Sequence, residues 1–203
     1  ITDQGVNVAD LTTADKTAYH FTISTTSTAN TETAGIYTIT YQLQQSGEDV
    51  VGARMTRNVI VGWDISKTSG VDNVIAYLIP SGDKFILRVT GSGEMEDYTA
   101  YNGEGAPKWQ SYRSSIVKLE IDENIRAIGN MAFYGLGQIT KIELPSTLEK
   151  IGSYAFFLCW NVSGEVVIPA SVTQIELNPF LEVPTRGFVV ENGNTNYKAI
   201  DGV

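Results

Sequence analysis

Apolar and polar residues alternate in three short stretches in the second half of the chain, and each stretch is followed by a pair of apolar residues and then a phenylalanine. The stretches are residues 118–121, 141–144 and 165–168; the pairs are Ile125 with Ile128, Leu148 with Ile151 and Val172 with Ile175; the phenylalanines are Phe133, Phe156 and Phe180. Alternation indicates a strand with one buried face. The phenylalanines recur at intervals of 23 and 24 residues, a period that predicts stacked short repeats.

Each phenylalanine closes a short motif, Ile-Gly-x-x-Ala-Phe. Residues 128–133 and 151–156 match it in full, whereas residues 175–180 have Glu176 in place of the glycine and Pro179 in place of the alanine. We expect each motif to form a tight helical turn with its phenylalanine pointing inward. The third copy is expected to have the least regular geometry.

These motifs resemble the BspA-like leucine-rich repeats of bacterial surface proteins. Three other segments are similar to that family: residues 87–98 to its "LxIxGxGxMxDY" opening, residues 106–112 to its "APWxxY" segment with Lys108 inserted, and residues 192–203 to its "GNxxYxxxDGV" insertion. The resemblance covers about residues 74–203 and implies a short right-handed leucine-rich-repeat solenoid with a β-hairpin cap. The implied repeats lie near residues 116–141, 142–165 and 166–188, with a partial repeat from residue 189.

The first sixty residues contain short strand-like stretches and no helical period. The stretches are residues 5–8, 19–23, 35–41 and 53–61, with a turn-rich segment at residues 45–49. Strands of this length and spacing predict a small antiparallel sandwich. The expected fold class of the whole chain is therefore mainly β.

This half resembles the Ig-like domains of multi-domain bacterial surface proteins. Residues 2–10 look like their "TDPGVTAxD" start, residues 35–41 like their "GTYTVTY" and residues 57–61 like their terminal "RTVTV". The resemblance implies an N-terminal Ig-like β-sandwich over residues 1–62 that acts as a spacer. We expect residues 63–73 to be a linker, stiffened where Trp63 packs against one of the domains.

Composition narrows the choice of partners and compartment. The net charge is −9 without a basic patch, which argues against nucleic acid as a partner. The longest apolar stretch, residues 74–79, is far shorter than the roughly 18 residues of a membrane span. Cys159 is the single cysteine, so no internal disulfide and no cysteine-rich metal site can form. The chain begins at Ile1 without methionine, and we expect a trimmed sequence.

Two residues could in principle support nucleophilic chemistry. His20, the sole histidine, falls on the outward face of its predicted strand, and nothing near it offers a triad or a zinc site. Cys159 follows Phe156 by three residues, where a small buried side chain is expected, and the repeats contain no histidine to activate a thiolate. We therefore expect no enzyme and no cofactor.

Clustered carboxylates leave two alternatives open. Glu94, Glu96 and Asp97 crowd one turn, where paired carboxylates could serve glycoside hydrolysis or bind calcium. A solvated loop is favoured, because no calcium-loop spacing follows. Asp3 and Asp10 could bind an ion weakly, and the chain offers no stronger metal site.

Outward positions of the repeats give the candidate binding surfaces. Stacking would align Lys118 with Lys141 and Glu165, and Glu120 with Glu143 and Val167, in a face that is either solvated or in contact with a protein. Aromatic residues form the second candidate. Tyr134 and Phe157 follow the inward phenylalanines, Trp160 is nearby, and Tyr98 and Tyr101 lie in the cap with Trp109 and Tyr112. For Trp109 and Tyr112 a place in the core or its cover is favoured.

The predicted function is non-catalytic binding. By resemblance, the chain is expected to belong to a secreted or cell-surface bacterial protein that recognises an extracellular protein, for example in adhesion to a host. A carbohydrate-binding accessory module, with Trp160, Tyr98 and Tyr101 as a stacking platform, is the main alternative, and a structural spacer is a third. The sequence names no ligand.

Overall fold

The computed structural model describes residues 21–27 and 35–200. The predicted strand at residues 5–8, the candidates Asp3, Asp10 and His20, and the end of the 192–203 motif lie outside these residues. The chain divides into two units, residues 1–61 and residues 62–203. Apart from one 3₁₀ helix, the regular structure of the described residues is β, which confirms the expected class.

Twelve strands occur in the described residues. They are β1 Phe21–Ser27, β2 Gly35–Gln45, β3 Glu48–Val61, β4 Trp63–Asp64, β5 Asn73–Ser81, β6 Lys84–Glu94, β7 Ile116–Ile121, β8 Ile125–Ile128, β9 Lys150–Ile151, β10 Val166–Ile168, β11 Gln174–Ile175 and β12 Phe188–Val190. The 3₁₀ helix is Gln110–Ser115 and directly precedes β7.

The described part of the first unit is one antiparallel sheet with strand order β1-β2-β3. Ser46 and Gly47, both with positive φ, turn the chain between β2 and β3, as the turn-rich segment predicts. Alternation along β2 buries Ile39 and Tyr41. The second sheet that an Ig-like sandwich requires is not among the described residues, so the sandwich remains a prediction.

The second unit begins with a β-hairpin that covers one end of the repeats. β5 pairs with β6 in antiparallel register, and β4 adds to the other edge of β5. β6 then continues into the repeats, because its first half pairs in parallel with β7 and its end pairs with β8. The strand changes partners at Gly91 and Gly93, which have φ of 106° and 111°; such angles favour glycine.

Residues 63–73, which the sequence predicts as a linker, are built into this cap. Ile65 is fully buried, and its backbone exchanges hydrogen bonds with Val74 and Glu96. The carboxylate of Asp72 accepts backbone N–H groups from Thr68 and Glu94, both at 3.0 Å. Its polar side chains are typical of a solvated loop, but here the Asp72 carboxylate accepts hydrogen bonds from partly buried backbone N–H groups.

Two of the three expected repeat strands form, in β7 and β10, which pair in parallel with β6 and β12, and the repeats also pair through a second segment. β8, β9 and β11, which contain the second apolar position of each repeat, form a continuous parallel ladder. Residues 141–144 form no strand, although Ile142 is buried as the alternation predicts. Alternation shows which side chains face inward, but it does not show which backbone groups meet a partner.

A stack of aromatic rings fills the core of the repeats. Phe133 and Phe156 are fully buried, with ring centroids 5.3 Å apart, and Phe156 stacks on Phe180 at 5.4 Å. Trp109 continues the stack into the cap, 6.2 Å from Phe133. The phenylalanines therefore point inward, as expected. Contacts between equivalent rings hold adjacent coils together.

Each coil contains two left-handed residues at equivalent positions. The first are Met131, Tyr154 and Asn178, and the second are Gly135, Leu158 and Glu182. This conformation costs roughly 1–2 kcal/mol for a residue with a side chain, yet it recurs because the backbone N–H groups at these positions donate to the next coil. Met131 donates to Ser153 and Tyr154 to Leu177, and Gly135 donates to Phe157 and Leu158 to Leu181.

Candidate functional site

The turn segments that follow the buried phenylalanines carry a continuous row of aromatic side chains. Tyr101 of the cap stacks on Tyr134 with ring centroids 5.5 Å apart, and Tyr134 meets the edge of Phe157 at 5.1 Å. We call Tyr101, Tyr134 and Phe157 the aromatic row. Tyr101 is 52% exposed, and the other two are half-buried. Leu181, at the matching position of the third coil, is exposed.

The repeat itself creates this row. Tyr134 and Phe157 each stand between a buried phenylalanine and a left-handed residue, so the chain turns at once and the ring cannot enter the core. Equivalent positions in stacked coils then lie side by side. Tyr101 joins them from a loop whose backbone carbonyl accepts a hydrogen bond from Arg113 at 2.8 Å.

A surface pocket of about 300 Å³ adjoins the row. Its lining includes Trp160, Tyr134, Leu158 and Arg113, and also Tyr101 of the row. Trp160 is 59% exposed. Its ring lies over Gly137, where an added Cβ would be 3.1 Å from it. We call this the Trp160 pocket.

Tyr98 does not belong to this surface, although the sequence suggested it as a binding residue. It is only 5% exposed, and its ring meets Trp109 edge-on at 5.8 Å. Burial, and then the Glu96 carboxylate, raise the pKa of Tyr98 far above its ordinary value. Trp109 is also buried, and Tyr112 packs against Phe85, so both lie in the core or its cover.

The charged candidates Glu120 and Glu143 are paired within the chain. The Glu120 carboxylate forms ion pairs with the Arg88 guanidinium at 3.4 Å and with the Lys118 ammonium at 2.7 Å. Glu143 pairs with Lys141, and that lysine lowers the pKa of the Glu143 carboxyl. The lysines therefore offset the expected repulsion between the two carboxylates, and little unbalanced charge remains here to attract a ligand.

The carboxylates near Gly93 also have partners. Lys67 lies 3.6 Å from Glu94 and 3.3 Å from Asp97. Partial burial opposes ionisation of Asp97, but the Asn130 backbone N–H and the Lys67 charge outweigh it and lower the pKa of Asp97. Residues 21–27 and 35–200 contain no group of three side chains suited to a metal ion.

Cys159 is fully buried between coils. Its thiol lies 3.5 Å from the carbonyl oxygen of Phe133, and burial raises the pKa of Cys159 to about 12. A thiol in this state is a poor nucleophile. Where the chain is described, no helix is long and apolar enough to cross a membrane.

Sequence reasoning missed two residues that shape the second unit. Asp72 lay in the predicted linker, and nothing in its local pattern distinguished it from a solvated loop residue. Arg113 followed the cap motif directly, but its contacts with Tyr101 and Asn102 join segments that are about ten residues apart, with no periodic signal between them.

The repeats match a known protein family. Residues 110–197 match the family described as "BspA type Leucine rich repeat region (6 copies)". Repeats of this type indicate a protein-binding module and are typical of bacterial surface or secreted proteins. No curated protein matches the chain.

Two solved structures resemble the chain at low identity. A leucine-rich repeat protein from Eubacterium ventriosum ATCC 27560 is 21% identical, with a TM-score of 0.40, over 68% of this chain and 46% of that one. The T. pallidum leucine-rich repeat protein TpLRR is 20% identical, with a TM-score of 0.33, over 61% of this chain and 70% of that one. The matched region thus spans about half of the first protein.

Proposed function

We propose that the chain, whose residues 110–197 match the BspA-type leucine-rich repeat family, is a non-catalytic module of a secreted or cell-surface protein that binds another extracellular protein, as in adhesion. The aromatic row is the proposed contact surface. Within this proposal the first unit serves as a spacer that presents the repeats.

The observation that carries the proposal is the continuity of the aromatic row across the cap and two coils. Half-exposed aromatic side chains are frequent anchors in protein interfaces, because they bury a large area with few rotatable bonds. Inter-coil hydrogen bonds fix the backbone of the turn segments that carry Tyr134 and Phe157, so little conformational entropy would be lost on binding.

The geometry of the rings favours a protein over a sugar as the ligand. Tyr101 and Tyr134 are nearly parallel, at 25°, but Tyr134 and Phe157 are nearly perpendicular, at 82°. A flat platform for sugar rings would need coplanar faces, and Tyr98, one of the three residues suggested for it, is buried. Edges and pockets suit the side chains of a protein better.

The test is to apply the 203-residue protein to an array of extracellular matrix proteins and to a glycan array, side by side. Phe157→Ala removes one ring of the row. Val167→Ala is the matched control, because Val167 is 42% exposed on β10, outside the row. Leu181→Ser is a second variant with less risk to the fold, since Leu181 is exposed.

We expect saturable binding to a protein that Phe157→Ala and Leu181→Ser weaken and Val167→Ala preserves. Binding to glycans alone would overturn the proposal in favour of a carbohydrate module. Absence of binding on both arrays would overturn it in favour of a spacer.

A further inference from the structure

The Trp160 pocket has the size and lining of a receptor for one large side chain. Its volume of about 300 Å³ is at the lower limit of ordinary ligand pockets. Trp160, Tyr134 and Leu158 give it apolar walls. Anchor side chains in protein interfaces commonly fill pockets of this kind, because the apolar surface on both sides then leaves water.

Arg113 gives the rim of this pocket a fixed positive charge. Its two terminal nitrogens donate to the carbonyl oxygen of Tyr101 and to Oδ1 of Asn102, each at 2.8 Å. The guanidinium also lies over the Tyr101 ring, 5.9 Å from its centroid. These contacts hold the group in place before any ligand arrives.

This charge is not neutralised by the protein. Lys67 and Arg88 each form ion pairs with two carboxylates, whereas Arg113 has no carboxylate within 4.0 Å in the part of the chain that the structure describes. A guanidinium has five N–H donors, and the two contacts above leave others available. Arginine binds carboxylates with paired hydrogen bonds.

We propose that the Trp160 pocket binds an aromatic side chain of the partner protein that stands next to a carboxylate, with the ring between Trp160 and Tyr134 and the carboxylate on Arg113. This inference rests on the proposed function and names the chemistry of the partner segment. The net charge of −9 repels acidic partners at long range. At 0.15 M salt, however, the screening length is only about 8 Å, so the nearby charge of Arg113 determines the preference of the pocket for a carboxylate.

The test uses three probes that share an indole ring and differ in charge: indole-3-propionate, indole-3-propionamide and tryptamine. Each is titrated into the ¹⁵N-labelled 203-residue protein at 0.15 M salt and pH 7. The Trp160 indole N–H and the amides of Gly135 and Gly137 report on binding to this pocket. We expect saturable shifts there, with the carboxylate probe binding about fivefold more tightly than the amide, as a charge-assisted pair at a solvated rim provides.

Three variants separate the parts of the site. Arg113→Gln should remove the preference for the carboxylate while indole binding persists. Because Arg113 also holds the Tyr101 loop, Gly137→Ala provides an independent check: its Cβ would press on Trp160 and should weaken all three probes alike. Lys108→Gln removes an exposed positive charge of the cap and should change nothing.

Tryptamine binding as tightly as the carboxylate probe, or no saturable shift with any probe, would overturn the inference. These failures differ from failure of the proposed function. If a protein partner binds through the aromatic row but no probe enters the pocket, the inference falls and the function stands. If the carboxylate probe binds and no protein does, the proposed function falls and the assignment of the pocket to a partner protein falls with it, although the preference of the pocket for an aromatic carboxylate is then measured.

Discussion

The backbone of Gly129 lies against the backbone of Glu96, so closely that a Cβ on Gly129 would be 1.8 Å from the Glu96 carbonyl oxygen. Gly152 approaches Asn130 of the preceding coil in the same way, with 2.6 Å to its nitrogen. At these two positions a side chain would therefore push adjacent coils apart, whereas the third coil stacks on the second with Glu176 at the equivalent position.

Gly129→Ala should therefore destabilise the second unit by about 2–4 kcal/mol, because the obstruction is backbone and cannot rotate away. Gly164→Ala is the matched control, since nothing lies within 4 Å of its Cβ position, and it should stay within about 0.5 kcal/mol of the parent. All three tryptophans, at positions 63, 109 and 160, lie in the second unit, so tryptophan fluorescence in a urea titration reports its unfolding. Equal midpoints for the two variants would refute this role of the glycine.

The second left-handed position predicts different losses of stability for two substitutions. Gly135 has φ of 71°, and its counterparts Leu158 and Glu182 keep the same conformation with side chains present. The nearest atom to a Cβ on Gly135 is at 3.5 Å, so only backbone strain opposes a substitution. Gly135→Asn should cost less than about 1 kcal/mol, because asparagine tolerates this region, whereas the β-branched Gly135→Val should cost clearly more. Thermal unfolding of both variants measures the difference, and equal melting temperatures would contradict the argument.

Glu176 stands where the other two motifs have glycine, and its carboxylate binds Lys150 at 2.6 Å and the Ser153 hydroxyl at 3.1 Å. The Lys150 ammonium lowers the pKa of Glu176 below its ordinary value, partial burial opposes the shift, and Ser153 adds to it. A carboxyl with a lowered pKa in the folded state stabilises the fold above its unfolded pKa, and this contribution disappears as the pH falls through the folded value.

Glu176→Gln should accordingly reduce the free energy of unfolding at pH 7 by about 0.3–1 kcal/mol, the range for an ion pair near the surface. The difference between the variant and the parent should be smaller at pH 3 than at pH 7. Glu165→Gln, at an exposed glutamate directly before β10, serves as the control. A difference that persists unchanged at pH 3 would show that the charge of Glu176 is not what stabilises the third coil.

Cys159 should be inert in the folded protein, because it is fully buried and its pKa is raised to about 12. At pH 8 a soluble disulfide reagent should label it only as fast as the second unit opens, and in denaturant at once. Because the chain has one cysteine, complete labelling releases one equivalent of the reagent's thiolate per protein molecule. Complete labelling of the native protein within seconds would contradict the buried position.

The motif residues show how much of this fold the sequence could predict. Spacing and residue type identified the phenylalanine stack and the rows of outward side chains, because each depends on one repeated position. They did not identify the pairing of β8, β9 and β11 or the left-handed residues, since neither Tyr154 nor Leu158 is a residue type that favours that conformation. Those features arise only when neighbouring coils offer acceptors.

The residues of the candidate surface were also predictable only in part. Tyr134 and Phe157 follow from the repeat, and the sequence placed them outside the core. Tyr98 was expected to be as accessible as Tyr101, which follows it by three residues. Tyr98 instead packs on Trp109 in the core, and Tyr101 is exposed at the surface. Arg113 had no signal, because its partners come from a loop whose shape the sequence does not specify.

If the aromatic row is the protein-binding surface, its rings must contribute to the dissociation constant of a partner identified on the protein array. Isothermal titration would compare the parent with the Tyr134→Ala/Phe157→Ala double variant and with Val167→Ala, after fluorescence unfolding has shown that each is folded. We predict that affinity falls by about tenfold or more in the double variant, as for interface anchors, and by less than about twofold in the control. Equal dissociation constants for all three proteins would contradict it.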